Sequence, residues 1–264
     1  MQVSVIPPFS ELSWAERGAD AYHLTLAFEA LQSDKYADFY RGLSQKGHYV
    51  FLDNSAHELG SGMSVDKLLL AAERVGAVEM ILPDRLFFGD DTLEMSEMAL
   101  REIRRLNRQI RLMGVPQGRT IEEWTSTLSG LLGMGISCIG ISKDYEVWPG
   151  GLHGLVQRVR AWSKTVDIHL LGFGRDPEQL FHIARDPGLS VRGVDSTKPF
   201  VYALNGIRMS RPERDVLTNT VDLSQPPYPR RKLDYFHESF ADVPQELIRF
   251  NINVFRHYAG ALDI

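Results

Sequence analysis

Apolar residues come in short runs along this chain, and each run is followed by a longer stretch in which apolar positions recur every three or four residues. The runs at 49–52, 78–82, 110–115, 136–141, 167–171 and 191–194 are too short for helices and carry little polar face, which predicts strands buried on both sides. Residues 22–28 alternate and predict an earlier strand, and 207–209 predict a closing one. Between them, segments 34–46, 64–74, 92–108, 120–132, 152–163 and 176–185 hold the helical period. Start and stop signals agree: Ser64 as an N-cap, Thr120 with Glu123 three residues on, Pro177 in a first turn, and Gly47 and Gly76 as stops. A short helix is expected from 197 to 205. Another spans 243–258, with Leu247, Ile248, Ile252 and Phe255 on its apolar side.

Eight strands alternating with helices predict the α/β class and a (β/α)8 TIM barrel. The expected strand ends, Asp53, Asp84, Gln117, Gly140, Gly172 and Asp195, lie 31, 33, 23, 32 and 23 residues apart. A βα unit needs roughly 30 residues and a whole barrel about 250. A doubly wound sheet calls for a Gly-x-Gly-x-x-Gly turn after its first strand, and none is present. With 264 residues, 44% of them hydrophobic, and no Pro/Gly/Ser-rich linker, the chain is expected to form one domain over 1–264. The polar, Pro-rich stretch 210–232 is expected to run over a barrel face.

Composition narrows the chemistry. The one cysteine, Cys138, sits among Ile136, Ile139 and Ile141, so neither a disulfide framework nor a zinc site built on several thiolates is expected. The eight histidines show no His-Glu-x-x-His spacing, and no metal or cofactor is expected. The N-terminal residues have no basic segment and no long apolar run, which predicts a cytoplasmic protein with no membrane association. A net charge of −5 argues against nonspecific coating of nucleic acid while leaving room for a local basic groove.

In a parallel barrel the strand ends converge on one mouth, which would gather three carboxylates (Asp53, Asp84, Asp195), the amide of Gln117 and the two glycines Gly140 and Gly172. Carboxylates sharing a site separate their pKa values, leaving one ionised and one poised to exchange a proton. That suits displacement at a glycosidic carbon, and an acid beside an amide also matches the edge of a guanine. The segment 53–58 adds Asn54, His57 and Glu58. On these residues alone Asp53 reads equally as a helix cap or turn residue.

At these positions the chain resembles the tRNA-guanine transglycosylases, and more closely their relatives that exchange 7-deazaguanines into DNA. The matching pieces are 51–58 (Phe-Leu-Asp-Asn-Ser-Ala-His-Glu), 80–84 (Met-Ile-Leu-Pro-Asp), 114–118 (Gly-Val-Pro-Gln-Gly), 139–141 (Gly-flanking Ile-Gly-Ile), 169–174 (His-Leu-Leu-Gly-Phe-Gly) and 193–196 (Gly-Val-Asp-Ser). The resemblance implies a barrel that exchanges guanine in DNA for a free 7-deazaguanine base, with the target nucleotide out of the stack. It implies Asp195 as the nucleophile that forms a glycosyl-aspartate and Asp53 as the general acid/base. It further implies Asp84 and Gln117 as base readers, a backbone contact from Gly140 and a stacking contact from Leu171, with Gly172 and Asn54 in the substrate pocket. Glu58 stays open between orienting a neighbouring group and bonding the incoming base. The chain lacks the three-cysteine, one-histidine zinc subdomain of the tRNA enzymes, which points toward DNA.

Arg230, Arg231 and Lys232, near Tyr228 and Tyr235, are the expected phosphate contacts. Two alternatives remain within this expectation: a tRNA-guanine transglycosylase, and a noncatalytic accessory protein that binds nucleic acid. A different barrel chemistry, an aldolase or phosphosugar isomerase, would want a strand-end lysine, for which Lys143 and Lys198 are the candidates.

Overall fold

Eight strands alternate with helices along the chain. The strands are β1 (Gln2–Val5), β2 (Tyr22–Leu26), β3 (Tyr49–Asp53), β4 (Glu79–Ile81), β5 (Arg111–Gly114), β6 (Cys138–Ser142), β7 (Asp167–Leu171) and β8 (Gly193–Ser196). They form one sheet in the order β1-β8-β7-β6-β5-β4-β3-β2, the strand order of a parallel (β/α)8 barrel. The helices are α1 (Ser13–Gly18), α2 (Ala27–Gln32), α3 (Asp34–Gln45), α4 (Ala56–Leu59), α5 (Val65–Val75), α6 (Gly89–Arg105), α7 (Ile121–Gly133), α8 (Gly151–Trp162), α9 (Pro177–Arg185), α10 (Lys198–Leu204) and α11 (Gln245–Tyr258). This computed structural model describes residues 1–18, 20–172, 177–209 and 235–262. Among them, no helix is long and apolar enough to cross a membrane.

The chain packs as two compact units, one of residues 24–141 and 155–169 and the other of 1–23, 142–154 and 170–264. In the first, β3, β4, β5 and β6 pair in parallel register, with Leu52 opposite Met80, Met80 opposite Leu112, and Gly114 opposite Ile139. Phe51, Leu52, Met80, Met113, Cys138 and Ile139 are buried, as strands covered on both faces require. Trp124 and Leu128 of α7 are fully buried within the same unit. Thr120 caps α7 by accepting the Glu123 N–H at 3.2 Å, while the Glu123 carboxylate accepts the Arg119 N–H at 2.7 Å, one residue earlier than a capping box places it. Ser64 precedes α5 without a side-chain capping bond.

In the second unit β1 pairs with β8, Ser4 opposite Asp195. This strand replaces the expected one at 207–209, which is not a strand. Its backbone is held instead by the buried Asn251 of α11: the Met209 N–H donates to Oδ1 at 2.8 Å, and Nδ2 donates to the carbonyls of Ile207 and Pro199 at 3.0 and 3.1 Å. One side chain therefore satisfies polar groups that a sheet would otherwise have taken. The first predicted strand also ends early, at Leu26, because Ala27 opens α2. Of the predicted excursion, Arg230, Arg231 and Lys232 lie outside the described residues.

Candidate active site

The ends of β3, β4 and β5 carry a buried polar network. After β3 the chain turns sharply: Ser55 takes the left-handed conformation at φ 59°, the Asp53 carboxylate accepts the Ser55 N–H at 2.6 Å, and Asn54 Oδ1 accepts the Ala56 N–H at 2.8 Å. Two successive Asx turns thus start α4. They leave the Asn54 amide nitrogen aimed across to the next strand end, where it donates to the Leu82 carbonyl at 2.6 Å and to Asp84 Oδ1 at 2.7 Å. From beyond β5, Gln117 Nε2 donates to Asp84 Oδ2, and Gln117 Oε1 accepts the Phe87 N–H at 3.0 Å.

Asp84 is only 3% exposed. Burial is the dominant influence on its carboxyl and raises its pKa to about 6, although the two amide donors pull the other way. Phe87 is held at φ 67°, a conformation rare for a bulky side chain, and its amide is the one that Gln117 anchors. Backbone strain therefore flanks the network on both sides, at Ser55 and at Phe87.

The loop 60–63 lies over these residues. The Gly62 N–H donates to the Asp84 carbonyl at 2.7 Å, the Met63 N–H donates to the Asn54 carbonyl at 3.1 Å, and Ser61 bridges Arg85. A Cβ at Gly62 would sit 2.8 Å from the Asp84 nitrogen and 2.9 Å from Pro83 Cα, so the close approach requires glycine. Beside the loop is a groove of about 630 Å³ lined by Leu59, Ser61, Arg85, Asp91, Glu94 and Met95. The guanidinium groups of Arg85 and Arg119 stand over the Phe88 ring at 4.3 and 4.2 Å. Arg85 is paired with Asp91; Arg119 has no ion pair among the described residues.

A second cluster forms within the other unit. Both carboxylate oxygens of the buried Asp195 accept the Gly172 N–H at 3.1 Å. Gly172 has φ 72°, and a Cβ there would lie 2.8 Å from Lys143 Cδ and 3.4 Å from Lys143 Nζ. The lysine thus covers the peptide that holds Asp195.

The predicted site residues therefore fall into groups. Asn54, Asp84 and Gln117 are joined by hydrogen bonds, with Asp53 in the adjoining turn. Asp195, Gly172 and Lys143 form the other cluster, with the half-buried Leu171 preceding Gly172 at the end of β7. Gly140 is buried inside β6, two residues before its end, and Glu58 is exposed on α4. Sequence reasoning did not single out Asn54 as the bridge to Asp84, nor Phe87, Phe88 and Arg119. The only signal was the unusual density of Phe, Gly and Asp after Pro83.

Among the described residues, no group of three or more His, Cys, Asp or Glu is arranged to hold a metal ion.

No family model matches the chain, and no curated protein matches it. Solved structures do. The YdjI aldolase of Escherichia coli K12 matches with a TM-score of 0.54 at 13% identity, over 77% of each chain. A 2,3-dimethylmalate lyase of the PEP mutase/isocitrate lyase superfamily gives 0.54 at 11% identity, over 78% of this chain and 80% of its own. An oxaloacetate acetylhydrolase solved with its product oxalate gives 0.51 at 12%, over 78% and 80%. At such identities the likeness shows the barrel fold alone.

These matches correct the transglycosylase expectation. They are an aldolase, a lyase and a hydrolase rather than guanine transglycosylases, so the assignment to that family and the 7-deazaguanine exchange in DNA through a glycosyl-aspartate are withdrawn. The physical reason is plain in the pieces that carried the resemblance. Each is three to eight residues long and most run into a strand end, where turn geometry alone selects Gly, Pro, Asp and Asn, while 139–141 lies inside β6.

Proposed function

We propose that this chain is an enzyme that moves a proton to and from a small carboxylate substrate, in the aldol and lyase chemistry named for the barrels it is similar to, with Asp84 as the acid/base. The observation that carries this is the Asp84 carboxyl: buried at the end of its strand, held through both oxygens by Asn54 and Gln117, and raised to a pKa of about 6. A group poised near neutral pH serves as base and then as acid within one turnover. The strain at Ser55 and Phe87 supports the same view, since strained backbone gathers where positioning matters.

The step runs as follows. Ionised Asp84 takes the proton from a substrate hydroxyl, and the adjacent carbon–carbon bond breaks as the new carbonyl forms. The bonding electron pair passes into the second fragment as an enolate, and protonated Asp84 returns its proton to the enolate carbon. Atoms and charge balance with no added reagent. Asn54 and Gln117 act as positioning residues, and Arg85 and Arg119 supply positive charge for the substrate carboxylate.

The test is proton NMR in D2O with a panel of small 2-oxo acids and hydroxy-dicarboxylates. Cleavage or uptake of deuterium next to a carbonyl is expected with the wild-type protein, and Asp84→Asn should slow it by roughly 10²–10⁴-fold. Turnover that survives in Asp84→Asn, or none with any member of the panel, would overturn the proposal.

A further inference from the structure

In the unit that contains β1 and β8, α1 and α11 enclose a cavity of about 270 Å³ lined by Trp14, Arg17, Gly18, Arg249, Ile252, Asn253 and Arg256. Gly18 lets the two helices approach closely, since a Cβ there would meet Ile252 Cδ1 at 2.8 Å. The lining therefore combines the apolar Trp14, Gly18 and Ile252 with three guanidinium groups. Their charges are only partly answered. Arg256 pairs with Asp20 at 2.9 Å, while the other oxygen of Asp20 accepts the Val3 N–H. Arg17 bonds to the hydroxyl and carbonyl of Ser13, which are neutral groups, and lies 4.7 Å from the Trp14 ring centroid. Arg249 is exposed, with no ion pair or hydrogen bond among the described residues, and the buried Nε of Arg256 has no acceptor. Trp14 Nε1 donates to Gln245 Oε1 at 3.0 Å, which orients the indole in this wall of the cavity.

We propose that this cavity binds a small phosphate-bearing molecule. Guanidinium forks match phosphate oxygens in pairs, and a buried N–H without an acceptor gains most from an anion that brings one. The volume is below that of most drug-sized pockets, which suits a phosphate or diphosphate group with a short organic part and excludes a polymer inside it.

The experiment is isothermal titration of the full chain with inorganic phosphate and with pyrophosphate at fixed ionic strength, comparing wild type, Arg249→Glu and Arg158→Glu. Arg158 is exposed on α8 and makes the same change in net charge elsewhere. Saturable binding with a Kd below about 1 mM is expected for at least one probe. Arg249→Glu should weaken it at least tenfold and Arg249→Gln by less, while Arg158→Glu should change it less than twofold. Equal weakening in the two charge-reversal variants would reduce the effect to overall charge and overturn the site. So would the absence of saturable heat in the wild type when circular dichroism shows it folded.

Discussion

Asp84 is the residue on which burial and hydrogen bonding pull in opposite directions, and burial wins. The linkage has a definite sign. Between the ordinary carboxylate value of 3.8 and the folded value of about 6, the native state holds more protons than the unfolded one. Stability should therefore fall as pH rises through that window and level off above it, by at most roughly 3 kcal/mol for a shift of about two units. Urea denaturation of wild type and Asp84→Asn from pH 3.5 to 7 should show this slope in the wild type and its loss in the variant. The asparagine is not a silent replacement. Asn54 and Gln117 both donate to Asp84, and Gln117 cannot reverse its amide without losing the Phe87 N–H, so an asparagine nitrogen would face a donor. Gln117→Ala would leave the Phe87 amide and one Asp84 oxygen without their partner at a 1% exposed position, and should cost about 2 kcal/mol in the same measurement. Strand-end logic picked out Asp84 and Gln117 in the sequence because both end apolar runs at barrel spacing. That they bond to each other was not legible, since it depends on the reach of side chains from neighbouring strands and on the Ser55 turn that aims Asn54.

At the scale of elements, the periodic segments were readable and the two ends of the strand series were not. β1 is four residues, Gln-Val-Ser-Val, too short for alternation to stand out. Residues 207–209 have the same look, Ile-Arg-Met, but bond to Asn251 instead of to a strand. Periodicity cannot distinguish the two cases, because the deciding partner of one is a strand 191 residues away (193 against 2) and that of the other a single helical side chain. Asn251 is fully buried and makes three bonds with its one amide. Asn251→Ala should cost about 3 kcal/mol and remove the protection of the Met209 amide in hydrogen exchange, while the protection of β8 persists until global unfolding. Equal protection of Met209 in the variant and the wild type would show that its amide is held by other means.

At the scale of the molecule, β4 carries a polar tie at its start and Asp84, the proposed acid/base, beyond its end. Glu79 is the first residue of β4, and Asp84 lies three residues beyond its last, Ile81. Glu79, fully buried where β4 begins, accepts the hydroxyl of Tyr49, which starts β3, and lies 4.0 Å from Arg111, which starts β5 and pairs at 2.8 Å with Asp167, which starts β7. Four strand starts are thus tied together by polar side chains, on the barrel face where such groups serve stability. Glu79→Ala should lower stability by on the order of 3 kcal/mol while leaving turnover per folded molecule unchanged, whereas Asp84→Asn should lower turnover. The (β/α)8 barrel was legible from strand spacing alone. The chemistry was not, because short strand-end motifs record turn geometry as faithfully as they record catalysis. The most direct test of Asp84 as acid/base is the pH dependence of deuterium uptake from D2O by whichever panel substrate turns over. The rate at low substrate concentration should rise with pH through an apparent pKa of about 6 and then plateau. A rate flat across pH 4.5 to 7.5, or an Asp84→Asn profile that matches the wild type, would contradict it.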